Sequence, residues 1–303
     1  MNQNFTTNLG EYIAQLPLPD SIDHLCGPLP ISMTNDILFH ILFEANETAL
    51  RGLLCSLLRL NDTDIRSIQI LNPIQYGQTI QTKTFILDLK LLLNNNTCIN
   101  IEMQVLASKH WTSRSLNYLC RSYEKLHKGE DYTNNQTAIH IGILDFDLFP
   151  EQEPEFYATY HLANDVTHQI YTGNFRISVL SLNHADKATE EDRSYHLDDW
   201  ARFFKATTWE ELKMLTKNNA VFTEAVKTVS NATENKYART MLDAYEEGAK
   251  YMRTIKKEHA DALAELNAEL EQRRTEIVQL DSEIAQRDSE IAQLKAELAR
   301  LKN

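Results

Sequence analysis

Residues 84–106 read TFILDLKLLLNNNTCINIEMQVL and carry the clearest pattern of secondary structure in the chain. The first part, 84–93, is an apolar run of residues that favour strands, and 98–106 alternates between apolar and polar residues with the period of a β-strand. The asparagines between them, Asn94 to Asn96, predict a turn because asparagine tolerates the left-handed backbone conformation. The stretch therefore predicts a β-hairpin.

The length of the turn decides which residues of the hairpin share a face. A three-residue loop puts Asp88 opposite Glu102, and since side chains two residues apart share a strand face, Lys90 and Gln104 would point the same way. A four-residue loop would shift the register and put the two acids on opposite faces. The three-residue loop therefore predicts two carboxylates close together.

Two neighbouring carboxylates repel each other unless a cation lies between them. Mg²⁺ prefers such hard oxygen ligands, so the pair Asp88 and Glu102 predicts a site for Mg²⁺ or Mn²⁺. The alternative is two surface acids on a solvated sheet face.

The segments on either side of the hairpin predict a mixed α/β domain. Thr34-Asn35-Asp36 offers helix N-cap residues, and leucine and isoleucine then recur at helical spacing. Residues 1–33 are predicted to be irregular because four prolines interrupt them. The other predicted elements are one or two helices over 36–60, a strand over 68–71, a helix over 112–128 that ends at Gly129, strands over 137–144 and 175–182, and mostly helix over 196–245.

The helix over 112–128 carries a row of basic and tyrosine side chains. Its members follow spacings of four and three and so lie along one side of the helix; we call them the basic row, Arg114, Tyr118, Arg121, Lys125 and Lys128. The opposite side is predicted to pack on the sheet through Leu116, Leu119, Cys120, Tyr123 and Leu126. A basic row beside a metal site suits a phosphodiester, because cations bind the DNA backbone and stabilise charge in the transition state. An ordinary solvated helix face is the alternative.

The C-terminal segment has an unbroken heptad pattern from Leu263. Isoleucine or leucine fills the a positions and leucine most d positions, which favours a two-stranded coiled coil over 263–301. Every g position from 269 onward is glutamate, which would repel in an antiparallel pair, whereas in a parallel pair three of the five would meet basic e residues of the partner and two would meet aspartates. The pattern therefore predicts a parallel homodimer, with a solvated single helix as the alternative. The a positions are Leu263, Leu270, Ile277, Ile284, Ile291 and Leu298; the d positions are Leu266, Arg273, Leu280, Arg287, Leu294 and Leu301.

Composition limits the class of protein. An apolar fraction of 43% and a charged fraction of 24% are typical of a globular chain. Neither a signal peptide nor an apolar run of about 18 residues is present, which predicts no membrane segment and a cytoplasmic location. The net charge of −13 disfavours nucleic acid on average, but a local basic row can still bind phosphates. Four scattered cysteines predict buried free thiols.

Several motifs, in this order and spacing, resemble the Rpn family of recombination-promoting nucleases, also described as PD-(D/E)XK nuclease family transposases. The resemblance covers roughly residues 34–150, with familiar later segments at Tyr160-His161-Leu162 and Trp200-x-x-Phe203-Phe204. Its motifs are Thr34-Asn35-Asp36-x-x-Phe39-x-x-x-Phe43, Leu71-Asn72-Pro73, Ile86-Leu87-Asp88, Ile101-Glu102-Met103-Gln104, Arg114-x-x-x-Tyr118-x-x-Arg121-x-Tyr123 and Gly129-x-x-Tyr132.

The resemblance implies a restriction-endonuclease-like α/β fold, a mixed sheet flanked by helices. Together with the patterns described above, it predicts an irregular segment 1–33, a nuclease domain 34–185, a helical extension 186–245 and the parallel coiled coil 246–303. It also implies a bacterial, Mg²⁺-dependent enzyme that cuts double-stranded DNA in recombination, transposition or defence.

The resemblance further implies roles for individual residues. Asp88 and Glu102 would bind the metal with the backbone carbonyl of Met103, and Asp36 is a further acid that serves equally well as a helix N-cap. Gln104 stands where the wider superfamily has lysine, and Lys90 is our candidate for the missing cation. The phosphate-binding residues would be Arg114, Tyr118, Arg121 and Lys125. Family members commonly have Phe-Lys where this chain has Phe39-His40, which leaves a protonated His40 to bind phosphate.

Two other functions stay open at this stage. The lysine replaced by Gln104, together with His40, favours a catalytically lapsed DNA-binding or adaptor protein. The long heptad segment favours a structural coiled-coil protein whose N-terminal domain caps the rod.

Overall fold

The computed structural model describes residues 9–71, 88–108, 110–123, 137–217 and 219–301, with side chains except at 88, 245, 249, 252, 253, 256 and 296–301. The chain divides into two compact units, Met1–Tyr245 and Glu246–Asn303. The helices are α1 (Leu9–Ala14), α2 (Asp36–Ala45), α3 (Glu47–Leu58), α4 (Trp111–Tyr123), α5 (Glu190–Ser194), α6 (Leu197–Lys205), α7 (Trp209–Thr216), α8 (Ala220–Glu234) and α9 (Lys236–Leu301). The strands are β1 (Ile68–Ile70), β2 (Asp88–Leu93), β3 (Thr97–Gln104), β4 (Thr137–Leu144), β5 (Tyr157–His161) and β6 (Phe175–Ser181). The predicted strand residues 84–87, the helix residues Lys125, Leu126 and Lys128, and Gly129 lie outside the described ranges.

The hairpin of β2 and β3 has the three-residue turn that the asparagine run predicts. Asn94 and Asn95 have φ angles of 52° and 60°, in the left-handed region that asparagine tolerates. The turn therefore sets a register in which Asp88 is the partner of Glu102. The predicted pairing is confirmed.

The sheet has six strands in the order β1-β2-β3-β4-β6-β5. The central strands β3, β4 and β6 run parallel, whereas the pairs β1–β2, β2–β3 and β5–β6 are antiparallel. Between β3 and β4, Asn100 lies opposite His140 and Glu102 lies opposite Gly142. The mixed sheet that the sequence predicts is confirmed.

The two faces of the sheet are chemically different. Alternate residues of β2, β3 and β4, such as Leu91, Ile101 and Ile141, join the main hydrophobic core, to which α2, α3, α6 and α8 contribute. The other face carries the polar residues Asn100 and Glu102, and α4 packs over it against β3, β4 and β6. We call this second side the α4 face.

Aromatic side chains connect the N-terminal helices with the helices that follow the sheet. The ring centroids of Phe43 in α2 and Trp200 in α6 are 5.7 Å apart, and those of Phe39 and Phe204 are 5.9 Å apart. The motif that contains Trp200 therefore belongs to the core. The mostly helical prediction for 196–245 is confirmed, and the domain boundaries at 33, 185 and 245 stay predictions.

Two elements depart from the sequence prediction. α1 forms inside the segment 1–33, whose prolines predict irregular structure, because Leu9 and Ile13 bury one side of a helix of only six residues. β5 pairs with the edge of β6, although its sequence YATYH shows neither an apolar run nor a clean alternation. Both elements are too short for periodicity to identify them.

The four cysteines are free, as predicted, but the prediction that they are buried is correct for only some of them. Cys98 is buried and Cys55 half-buried, whereas Cys26 and Cys120 are exposed. Cys120 is exposed because α4 turns a different side to the sheet from the one that its hydrophobic residues predict.

Helix α9 spans 66 residues, or about 100 Å at the rise of an α-helix. Those of its heptad residues whose side chains are described are exposed in the single chain, with Leu263 at 61% and Leu270 at 50%. The helix that the heptads require is therefore present, and its pairing with a second copy stays a prediction. Among the helices of the described ranges, none combines the length and apolarity needed to cross a bilayer.

The absence of a side chain at Gly142 lets α4 approach the sheet. A Cβ atom at this position would lie 2.3 Å from Cζ2 of Trp111, the first residue of α4. The Trp111 ring is buried and packs with Leu144 and Val179. Gly142 therefore sets the height of α4 above the sheet.

We expect Gly142→Ala to displace Trp111 and to lower the free energy of unfolding by about 1–3 kcal/mol, the usual cost of overpacking a core. Urea denaturation measures this loss. Gly173→Ala is the matched control, because a Cβ there meets no atom within 4 Å. Equal losses in the two variants would contradict the role of Gly142.

Candidate active site

Helix α4 is rotated relative to the sequence prediction. Its sheet-facing side consists of buried residues at spacings of four, four and three, namely Trp111, Ser115, Leu119 and Ser122. Leu116, predicted to face the sheet, is exposed, and Tyr123 packs edge-on against Phe175 with centroids 5.5 Å apart. The two small serines hide this side from a count of hydrophobic residues.

This rotation brings part of the basic row onto the sheet. Arg114 and Tyr118 are half-buried against the α4 face, whereas Arg121 is exposed. Lys125 and Lys128 lie outside the described residues. The row is therefore not a purely solvated face, since its first two members contact residues of β3 and β4.

Glu102 is a buried carboxylate, 4% exposed, at the centre of the α4 face. Its Oε1 atom accepts a hydrogen bond from Nη2 of Arg114, which also donates to Oε1 of Gln104. Its Oε2 atom has no hydrogen-bond partner within the described part of the chain. One oxygen is therefore neutralised by a guanidinium, and the other is free to accept a ligand.

The Gln104 carboxamide is held at both ends. Its Oε1 atom accepts from Arg114, and its Nε2 atom donates to the carbonyl oxygen of Leu106 at 3.0 Å. This arrangement fixes the amide plane beside Glu102.

His140 on β4 completes the buried part of the site. Its Nε2 atom lies 3.7 Å from Oε2 of Glu102, and its Nδ1 atom lies 3.1 Å from Nδ2 of Asn100. Burial, with the charge of Arg114 adding to it, lowers the pKa of His140 to about 3, so the ring is neutral at neutral pH.

The other predicted site residues lie on the same hairpin as Glu102. Asp88 lies opposite Glu102 in the strand register, and its side chain lies outside the description. Lys90 is half-buried opposite Asn100, two pairs further along the hairpin. The side chain of Met103 points to the main core, which leaves its backbone carbonyl as the predicted ligand.

Two residues of α2 differ from their predicted positions. Asn35, and not Asp36, is the N-cap of this helix, because the Asn35 side chain accepts a hydrogen bond from the backbone nitrogen of Leu38. His40 is 0% exposed, and its Nδ1 atom lies 3.6 Å from Oε1 of Glu44. The prediction that His40 binds phosphate is therefore wrong, because its ring does not reach the surface.

Sequence reasoning missed His140, Asn100, Trp111 and Gly142. One signal could have indicated two of them, because in the strand 137–144 His140 and Gly142 alternate with isoleucines and so share the strand face opposite to the isoleucine face. Their approach to Glu102 depends on the parallel register of β3 and β4, which joins residues about 40 positions apart. No local pattern encodes that register.

The residues present fit a divalent cation. An unpartnered buried carboxylate oxygen on Glu102 and a second acid opposite it in the register are hard oxygen donors of the kind that Mg²⁺ and Mn²⁺ prefer. Among the described residues, no group of three or more His, Cys, Asp or Glu side chains could hold a metal ion. A complete ligand set therefore has to include Asp88 and backbone or water oxygens.

The fold and the site together define a class of protein. A mixed sheet flanked by helices, with acids at 88 and 102 on neighbouring strands, is consistent with the PD-(D/E)XK nuclease fold. A family model described as PD-(D/E)XK nuclease family transposase matches residues 33–262. The chain belongs to this family, and the resemblance seen in the sequence is confirmed. Among curated proteins and among solved structures, nothing matches the chain.

We expect Arg114→Ala to lower the free energy of unfolding by about 2 kcal/mol in the presence of EDTA, because Glu102 then stays buried without a cation. The loss should be smaller than the ~3–5 kcal/mol typical of a fully buried pair, since the Arg114 side chain is 39% exposed. In a double-mutant cycle with Glu102→Gln, a coupling energy of about 1–2 kcal/mol is expected.

Arg121→Ala is the matched control for this cycle, because Arg121 is exposed on the same helix. Its effect on the free energy of unfolding should stay within about 0.5 kcal/mol. Strictly additive effects of Arg114→Ala and Glu102→Gln would contradict the ion pair.

Proposed function

We propose that this protein is a divalent-metal-dependent endonuclease that cuts double-stranded DNA, acting in recombination, transposition or defence. One observation carries the proposal: a buried glutamate with an unpartnered oxygen, Glu102, lies opposite Asp88 in the register of a chain that belongs to a nuclease family. Burying a carboxylate costs several kcal/mol unless it is compensated. A stable position for Glu102 at the centre of the α4 face is therefore easier to explain by function than by packing.

The proposed metal ligands are Asp88, Glu102 and the backbone carbonyl of Met103, with Asp36 as a further acid. Across an antiparallel pair the Cβ atoms of opposite residues are about 4.5–5.5 Å apart, which suits two carboxylates that share one cation. A bound Mg²⁺ or Mn²⁺ ion would activate a water for attack on the phosphorus and stabilise the charge that develops there.

The other residues of the site have distinct proposed roles. Gln104, whose amide plane is fixed by Arg114 and the Leu106 carbonyl, would orient the attacking water. A carboxamide supplies no positive charge, so a cation must come from elsewhere. Lys90 is one candidate, on the same face by strand parity, and Arg114 is the other, since it already lies between Glu102 and Gln104.

The DNA backbone would lie along the basic row. Arg121 is exposed, and Arg114 and Tyr118 lie at the border between the helix and the sheet. Together with Lys125 they would bind phosphates on the side of the helix that adjoins Glu102. This short row can attract DNA although the chain carries a net charge of −13, because the field near a surface depends on local charges.

The test is nicking of supercoiled plasmid by the full-length protein with Mg²⁺, with Mn²⁺, and with EDTA. Asp88→Asn and Glu102→Gln should each lower the nicking rate by about 100-fold or more, since changing even an outer-shell partner of a metal costs about 10- to 100-fold. Glu151→Gln, at an exposed acid, is the matched control and should cut as the wild type does.

Two results would contradict the enzyme. Nicking that both variants retain would exclude Asp88 and Glu102 as metal ligands. Absence of nicking by the wild type, with DNA binding that Arg121→Ala weakens, would favour the catalytically lapsed DNA-binding protein. DNA binding unaffected by Arg121→Ala and Lys125→Ala would favour the structural coiled-coil protein.

The proposed enzyme acts as a parallel homodimer joined through 263–301. Eight of its a and d residues are exposed by 47% or more in the single chain, an apolar seam that water disfavours. A parallel pair sets the g glutamates against e residues of the partner, with attraction at Glu269–Arg274, Glu290–Lys295 and Glu297–Lys302. Glu276–Asp281 and Glu283–Asp288 remain repulsive, so attraction exceeds repulsion by three contacts to two. Two sites held on one duplex would suit a double-strand cut.

Cysteine cross-linking tests both the pairing and its direction. In a chain with the exposed thiols removed (Cys26→Ser, Cys120→Ser), Leu270→Cys should form an interchain disulfide on oxidation, because equal a positions face each other in a parallel pair. Ala268→Cys, at an outward f position, is the matched control and should not. Position 270 is far from the middle of the seam, so in an antiparallel pair its two copies would lie too far apart to form a disulfide. Absence of the disulfide from Leu270→Cys would therefore refute the parallel direction.

A further inference from the structure

The buried histidine of β4 is arranged to hold the glutamate of β3. His140 is 0% exposed and lies on the α4 face, directly opposite Asn100 on the adjacent strand. Its two ring nitrogens are turned to different partners, Nδ1 to the Asn100 amide at 3.1 Å and Nε2 to Oε2 of Glu102 at 3.7 Å.

The Asn100 contact determines which nitrogen carries the proton. A side-chain amide Nδ2 can only donate, so Nδ1 of His140 accepts, and the single ring proton of the neutral imidazole is on Nε2. This N–H is directed toward Oε2 of Glu102. Neither Nε2 nor Oε2 has another hydrogen-bond partner among the described residues.

The ring has little freedom to turn away. Tyr118 of α4 stacks on it with centroids 5.8 Å apart and planes inclined by 25°, and the Trp111 centroid is 5.9 Å away. The separation of 3.7 Å between Nε2 and Oε2 exceeds the ~3.2 Å limit of an N–H···O hydrogen bond. A shift of about half an ångström in the carboxylate would close it.

We propose that His140 is a positioning residue for Glu102. Its Nε2–H holds Oε2 through one lone pair, so that the second lone pair of this oxygen keeps its direction for a divalent cation while Oε1 stays paired with Arg114. Outer-shell partners of this kind orient metal-binding side chains and strengthen their affinity. The role of His140 in metal binding rests on the proposed function. The hydrogen bond from His140 to Glu102 does not depend on it.

The first experiment measures Mn²⁺ binding to the full-length protein without DNA, by electron paramagnetic resonance of the free ion. His140→Leu removes the donor and should weaken Mn²⁺ binding by about 10- to 100-fold. His140→Gln returns an N–H donor at similar reach and should recover most of the affinity. His161→Leu, at a half-buried histidine of edge strand β5, is the matched control and should bind as the wild type does.

Unfolding free energies of the same variants separate positioning from packing. If the Mn²⁺ affinity falls only as the free energy of unfolding falls, and His140→Gln binds Mn²⁺ as weakly as His140→Leu, the positioning role is wrong. Unchanged affinity in a folded His140→Leu would also overturn it, with the proposed function intact. A wild-type protein that neither binds Mn²⁺ nor nicks DNA would instead overturn the proposed function.

The second experiment needs no metal. The ¹⁵N chemical shifts of the His140 ring should be those of the Nε2–H tautomer in the wild type, and the Nε2 shift should move in Glu102→Gln. A ring protonated on Nδ1, or one indifferent to Glu102→Gln, would overturn the inference whatever the metal result.

Discussion

The arrangement of this protein depends on the charge of one buried carboxylate. Removing an ion such as that of Glu102 from water costs several kcal/mol, which only a close counter-charge or neutralisation can offset. Arg114 supplies that charge, and to reach Glu102 it requires α4 to lie close to the sheet with a particular rotation. The small residues Gly142, Ser115 and Ser122 are what permit this approach.

The same constraint leaves the site short of positive charge. Glu102 carries one negative charge when ionised, and Arg114 provides one positive charge beside it. Asp88, the partner of Glu102 in the strand register, is a second acid. Lys90 lies two pairs further along the hairpin, and His140 is neutral. Such a residual negative charge, presented by hard oxygen atoms next to a basic helix, is what a divalent cation and a phosphate would complete. This balance connects the packing of α4 with the proposed chemistry.

Much of the fold could be predicted because its signals are local. The three asparagines determine the turn, the turn determines the register, and the register brings position 88 opposite 102. The bounds of β4 and the helices around 36–60 follow from equally local patterns. These predictions needed only neighbours in the sequence.

The remainder of the site depends on contacts between distant segments. The rotation of α4 is set by Trp111 on Gly142, about 30 residues away, and two buried serines contradict the rule that the apolar side faces the core. The role of His140 follows from a parallel register that no turn encodes. His40 is buried as well, which the residues around it in the sequence do not reveal.

In the proposed site the carboxylates of Asp88 and Glu102 converge on one cation. Anomalous scattering from a crystal grown with Mn²⁺ locates that cation. We expect one strong peak about 2.1 Å from an oxygen of each carboxylate. A peak that contacts neither acid, or carboxylates directed to opposite sides of the sheet, would refute the shared site.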